Sequence, residues 1–257
     1  MDPGTLIGIT LAFAAIFTSM IMEGGSPGGI FLLPPLILVF GGTIGVAMAG
    51  GLLKDATSLP AAIKKALTSK VVPVDESVAI LVRLAEEARK NGLLALEELA
   101  RDIEDPFLRK GLELLVDGTD PEDLRDILEA EVASKKGGDK AAAKLFADMG
   151  GYAPTVGIIG TVLGLVHVLE NLSEPSKLGH LIAAAFLATL WGVMSANAIW
   201  LPLSNKLKRL TELEVRRMDL LIEGLLSIQA GNNPRMIEQK LLSFLHPAER
   251  PLANKAA

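Results

Sequence analysis

The chain has 257 residues, half of them apolar, with one Tyr, two Trp, no Cys and a formal charge of −5. The lack of cysteine excludes a disulfide framework, a thiolate metal site and a cysteine nucleophile. The apolar residues gather in long charge-free runs, which is the pattern of a polytopic membrane protein with a modest polar part.

The first such run, residues 3–22, is bounded by Asp2 and Glu23 and lacks the basic start and small-residue cleavage site of a removable signal peptide, so it is expected to remain as a membrane span. The Gly-rich turn GGSPGG follows. A second span is expected over residues 30–53, with Pro34-Pro35 either in its first turn or at a kink. Residues 1–53 thus read as a transmembrane hairpin.

Residues 54–148 read as a compact set of short helices without strands. Asp75 is placed to cap a helix bearing Val78, Leu81, Val82, Leu84 and Ala85 on one face, and Asn91-Gly92 is a favourable exit from it. The next helix, LLALEELARDI, buries Leu93, Leu96 and Leu99 and turns Glu97 and Glu98 outward. Pro106 and Asp117-Gly118 bracket a third. Asp120-Pro121 then supplies an N-cap with proline at the first helical position, opening a helix to about Ser134.

Residues 149–203 form a second hairpin, with charge-free spans at about 149–169 and 179–203 joined by the polar turn Glu170 to Lys177. The turn makes the spans antiparallel, so residues whose numbers sum to about 350 share a depth. Thr161 then lies level with Thr189, roughly 12–15 Å in from the turn at ~1.5 Å per residue. Gly157, Gly160 and Gly164 on one span, and Ala185, Ala188, Gly192 and Ala196 on the other, repeat at helical spacing and permit close backbone approach. Two readings of this seam stay open. It is ordinary small-residue helix packing with each hydroxyl bonded one turn back, or the hydroxyls line an ion path. Neither span holds a carboxylate that could bind and release a cation.

Residues 204–257 carry the helical period out of the last span through NKLKRLTELEVRRMDLLIEGLLSIQAG, with Lys206, Lys208 and Arg209 at the membrane interface. Asn233-Pro234 opens a final helix, Arg235 to Leu245, which His246-Pro247 ends before a disordered tail. Every Lys and Arg except Lys177 lies in residues 54–144 or 206–255. By the positive-inside rule both termini and the large polar segment are cytoplasmic. The fold class expected is all-α, with four transmembrane helices and a helical cytoplasmic domain.

No phosphate-binding glycine loop, no HExxH and no histidine cluster is present; His167, His180 and His246 are scattered. Basic residues alternate with acids, which gives nucleic-acid binding little support. An enzyme, a cofactor and a metal centre are therefore not expected.

Several motifs, in order along nearly the whole chain, resemble MotA, the ring-forming subunit of the bacterial flagellar stator. They are LIGITLAFAAI, ARKNGLLALEE, GGYAPTVGIIGTVLGL, LGHLIAAAFLATLWG, LPLSNKLK and EGLLSIQAGNNPRMIEQKLLSFL. The resemblance implies an inner-membrane ring of identical subunits, five in the family, embedded in lipid around a MotB-type partner. Each partner chain brings one membrane helix with an ion-binding aspartate, which accounts for the missing carboxylate. It further implies that ion flow turns the ring and that the cytoplasmic domain pushes on the rotor protein FliG through Arg89, Lys90, Glu97 and Glu98. Pro154 and Pro202 match the family's coupling prolines, although a bare helix kink would also explain them.

The resemblance places Thr161, Ala188 and Thr189 on the ion path. Sodium-type relatives have a Thr-Thr pair where this chain has Ala188-Thr189. A dehydrated Na⁺ needs several oxygen ligands, whereas a proton needs only the partner's carboxylate. Protons are favoured as the driving ion, and Thr161 keeps sodium open. A subunit of ExbB or TolQ type is the nearer alternative, but those proteins have three spans and lack ARKNGLLALEE. A self-sufficient channel or transporter would need its own intramembrane charge or an inverted repeat, and neither is visible.

Overall fold

The computed structural model describes residues 3–69 and 73–245, and every regular element among them is helical. In chain order these are α1 (Gly4–Met22), α2 (Leu33–Ala49), α3 (Leu53–Thr57), α4 (Leu59–Thr68) and α5 (Val74–Asn91), followed by α6 (Leu96–Asp102), α7 (Pro106–Val116), α8 (Pro121–Glu170), α9 (Pro175–Gln229) and α10 (Pro234–Ser243). By length and composition α1, α8 and α9 are able to cross a membrane, and α2 is a shorter apolar helix. The end of the last helix at His246-Pro247 and the tail lie outside the described residues.

Several boundaries differ from the sequence expectation, each for a local reason. Helix α2 covers less than residues 30–53. Leu32 is extended, Pro34 and Pro35 occupy the first turn where no N–H is needed, and Gly50-Gly51 follow the last turn. Helix α5 starts one residue before Asp75, which therefore sits in the first turn instead of capping it. Helix α8 does not stop at Ser134. It runs unbroken for 50 residues through Gly137-Gly138 and into the apolar stretch, since a glycine pair costs a helix only about 1 kcal/mol per residue and no proline follows it before Pro154. Helix α10 spans Pro234–Ser243, with the Asn233 side chain accepting from the Arg235 N–H at 3.1 Å.

The chain forms two compact units, Met1–Lys70 with Asp139–Leu210, and Val71–Gly138 with Thr211–Ala257. In the first, Ala62 and Ala66 of α4 pack with Phe146, Met149, Trp200, Leu203 and Leu207. Lys65 bonds Asp139 at 2.7 Å, and Ser204 donates to the Ala143 carbonyl at 2.7 Å. These contacts draw residues 54–69 and 139–148 onto the apolar helices. Phe40 sits between Trp191 and Trp200, with ring centroids 5.9 and 6.0 Å away. The Trp191 indole donates to the buried Ile30 carbonyl at 2.7 Å, which ties the turn before α2 to α9.

The second unit has one core, built from Leu81 and Leu84 (α5), Leu96 (α6), Leu108, Leu112 and Leu115 (α7), Leu124 and Leu128 (α8), Leu221 and Leu225 (α9), and Leu241 (α10). Asp105 caps α7 by accepting from the Phe107 and Leu108 N–H groups at 2.9 and 3.1 Å, and pairs with Arg217. Beside the core, Glu223 accepts from Arg125 at 2.7 Å and from Lys240 at 2.8 Å, joining three helices. Burial pushes the Glu223 carboxyl up, but the bonds from Lys240 and Arg125 outweigh it and hold the group below the usual glutamate range. Asp219, one turn earlier, is shifted the other way: burial raises it and Lys136 only partly compensates.

Candidate functional site

Helices α8 and α9 meet along the seam of small residues. A Cβ built on Gly157 would lie 2.7 Å from the Ala188 carbonyl oxygen and 3.1 Å from the Thr189 Cα; one on Gly192 would lie 2.6 Å from the Ala153 carbonyl oxygen and 3.1 Å from the Gly157 Cα. A Cβ on Gly160 would lie 2.6 Å from the Ala188 Cβ, and one on Gly164 the same distance from the Ala185 Cβ. No larger residue fits at these four positions without moving a neighbour, and for Gly157 and Gly192 the neighbour is backbone.

This approach brings the two hydroxyls together. Thr161 Oγ1 lies 2.5 Å from Thr189 Oγ1, 3.0 Å from the Ala185 carbonyl and 3.2 Å from the Gly157 carbonyl. A hydroxyl has one proton to give. Thr161 therefore donates to one acceptor at a time, and whenever that is a carbonyl, Thr189 can donate to the Thr161 oxygen. The result is a short polar relay inside an apolar seam. Ala188 is buried with its methyl against Gly160, so the third ion-path position offers no side-chain oxygen.

Both prolines lie within continuous helices. Pro154 follows Ala153, whose carbonyl approaches Gly192. Pro202 comes just after a widened π turn, Ala196–Trp200. Proline has no N–H for the carbonyl four residues back and its ring crowds that carbonyl, and the extra residue of a π turn is one way a helix relieves such crowding. The sequence reading did not anticipate this turn, nor the matching one at Ile37–Gly41 shortly after Pro34-Pro35. Pro202 in an apolar helical run was the available signal for the first; Pro34-Pro35 lie before the second, in a first turn that needs no N–H, and give no such signal.

The predicted charge cluster lies in the second unit. Arg89 and Lys90 are exposed in the last turn of α5, and Glu97 and Glu98 are exposed in the first turn of α6. Between them Gly92 takes φ 82° and ψ 169°, a region open in practice only to glycine, and a 3₁₀ turn, Leu93–Ala95, follows. Glu97 pairs with Arg101 at 3.0 Å. The two sets of charges are thus held on either side of one sharp turn.

A close small-residue seam between charge-free spans fits a multi-pass helical membrane protein, and comparison with known proteins gives its class. Residues 99–220 match the model of the MotA/TolQ/ExbB proton channel family. The chain is 37% identical to Motility protein A of Bacillus subtilis (strain 168) over 97% of its own length and 93% of that relative. Its fold is similar to a chain of the C. jejuni MotAB structure, with TM-score 0.91, 32% identity and coverage of 96% of this chain and 97% of that one. It is likewise similar to a chain of the flagellar MotAB stator complex from Bacillus subtilis, with TM-score 0.89, 37% identity and 96% and 98% coverage. The chain belongs to the Motility protein A family.

Proposed function

We propose that this chain, a flagellar motor stator subunit by family, assembles as a homo-oligomeric ring of five around a MotB-type partner and converts an ion gradient into torque on the rotor protein FliG. It spans the inner membrane four times, through α1, α2 and the apolar parts of α8 and α9, with both termini and the second compact unit in the cytoplasm. It is not an enzyme and uses no cofactor beyond the transported ion.

The observation that carries this reading is the Thr161–Thr189 pair at 2.5 Å, set in two spans that contain no Asp, Glu, Lys or Arg. A hydroxyl relay can pass or orient a cation but cannot hold its charge at membrane depth, so the partner's single span supplies the aspartate. The Thr161 hydroxyl has two carbonyls and one hydroxyl within reach, and buried Ala188 adds no oxygen ligand. This favours a proton as the driving ion over a dehydrated Na⁺. Gly157, Gly160, Gly164 and Gly192 set the helix separation that brings the hydroxyls together. Pro154 and Pro202 are the points at which ion binding bends α8 and α9, and Arg89, Lys90, Glu97 and Glu98 meet the rotor.

The test is ion flux into proteoliposomes holding the chain alone or with its partner. Acidification that requires the partner and persists without sodium is expected. Flux through the chain alone, or flux that requires sodium, would refute the partner or the ion assignment respectively.

A further inference from the structure

We infer that a cleft in the second compact unit binds a polyamine, a small molecule whose ammonium groups are separated by short alkyl chains. The inference goes beyond the proposed function and does not depend on it. The cleft has a volume of about 830 Å³ and is walled by α5, by residues 99–108, and by the facing parts of α8 and α9. That size suits a small organic ligand.

Its floor is apolar and continuous with the core, since Leu84, Phe107, Leu108, Met218 and Leu221 are all buried. The walls are pinned by contacts of the protein itself. Lys135 pairs with Glu214 at 3.0 Å, Asp105 pairs with Arg217, and the Arg109 Nε donates to the Ile103 carbonyl at 3.0 Å. A ligand entering here meets a preformed site and orders little on binding. Ser77 is the group that packing leaves unexplained. It lines the cleft and is only 3% exposed, and its hydroxyl has no hydrogen-bond partner among the described residues. A hydroxyl taken from water without a partner is costly, so Ser77 points to a molecule that fills the cleft and bonds it.

The charge of the lining sets the kind of molecule. Six carboxylates and three basic side chains line the cleft. Asp105 and Glu214 occupy two of those bases, and Glu131 holds Lys110. Glu76, Asp102 and Glu104 remain, all exposed and without an ion pair or side-chain hydrogen bond among the described residues. The third base, Arg83, also borders a neighbouring groove that holds Asp75, Glu86 and Glu238, so carboxylates outnumber it on both sides. This excess repels an anion and leaves a purely apolar ligand with nothing to offer the rim. A metal ion needs ligands that converge, and no group of three or more His, Cys, Asp or Glu suited to one occurs among the described residues. A polyamine satisfies each part. Its outer ammonium groups meet the separated carboxylates, its methylenes cover the apolar floor, and an inner amine donates to the Ser77 oxygen.

The experiment measures spermidine binding to the full chain, held with its single-span partner in nanodiscs, by calorimetry and by the shift in melting temperature. Spermidine should bind saturably and raise the melting temperature with its concentration. Glu76→Gln with Glu104→Gln should weaken binding about tenfold, and Ser77→Ala about fivefold. Without spermidine both variants should melt no lower than the parent, which separates a lost ligand contact from a damaged fold. Magnesium chloride at equal charge should not reproduce the shift. No saturable binding, binding that either variant leaves unchanged, or a shift that magnesium matches would each overturn the inference. A peptide of alternating Lys and Leu that binds more tightly and displaces spermidine would also overturn it, by assigning the cleft to a protein segment.

Discussion

Replacing Gly192 by alanine tests whether the seam holds the hydroxyl pair in place. The new methyl would stand 2.6 Å from the Ala153 carbonyl oxygen. An ordinary contact is about 3.4 Å or more, so α8 and α9 must part locally by roughly 0.8 Å, and the obstructing atoms are backbone that cannot rotate away. Thr161 and Thr189 lie one turn from Gly157 and Gly192, the residues at this closest approach, so much of that separation reaches them. Their 2.5 Å contact would open to roughly 3 Å or beyond, the edge of a useful O–H···O bond. Overpacking of this kind costs about 1–3 kcal/mol. The assay is thermal unfolding of the ring with its partner in detergent, paired with torque on tethered cells. Gly151→Ala is the control, because nothing lies within 4 Å of a methyl there and alanine improves helix propensity by about 1 kcal/mol. A Gly192→Ala protein that melts with the parent and keeps full torque would refute the claim that this spacing matters.

Four further outcomes follow from the structure. Gly92→Ala must leave the glycine-only conformation at φ 82°, ψ 169°, at a cost of about 1–3 kcal/mol; swarming should fall while membrane insertion stays normal. Glu223 lies below the usual glutamate range, so its contribution is complete above that range and is lost as pH falls through the lowered folded value. With Arg125 and Lys240 each nearly half exposed, Glu223→Gln should cost about 1–2 kcal/mol at pH 7 and nothing at strongly acid pH, read by thermal melts across pH. Asp219 has the opposite sign: its raised folded value makes ionisation destabilising, so Asp219→Asn should raise the melting temperature at pH 7 and lose that advantage as pH falls from the raised folded value to the ordinary aspartate range. Pro154→Ala and Pro202→Ala restore a backbone donor and should lower torque at unchanged assembly; unaltered torque on tethered cells would remove the coupling role.

Much of the seam was legible in the sequence, because an antiparallel hairpin with a short turn fixes which residues share a depth, and small residues at helical spacing mark where backbones can meet. The charge cluster was legible for a different reason: Asn91-Gly92 signals a helix exit, and the exposed face of each flanking helix follows from its apolar period. The continuity of α8 was not. Gly137-Gly138 resemble punctuation, yet a mid-helix glycine only weakens a helix that tertiary packing secures, here through Phe146 and Met149. The Glu223 network was also hidden, since Arg125 and Lys240 are distant in sequence and only folding brings them to one carboxylate.

The central claim is that this chain makes torque only when a partner supplies the ion-binding group. The direct test is swimming of a strain lacking its own stator, expressing this chain with or without a MotB-type partner, in sodium-free and sodium-containing buffer. Swimming with the partner in both buffers, and in neither without it, is the predicted result. Swimming without any partner, or none with a partner that is inserted and compatible with the host rotor, would contradict it.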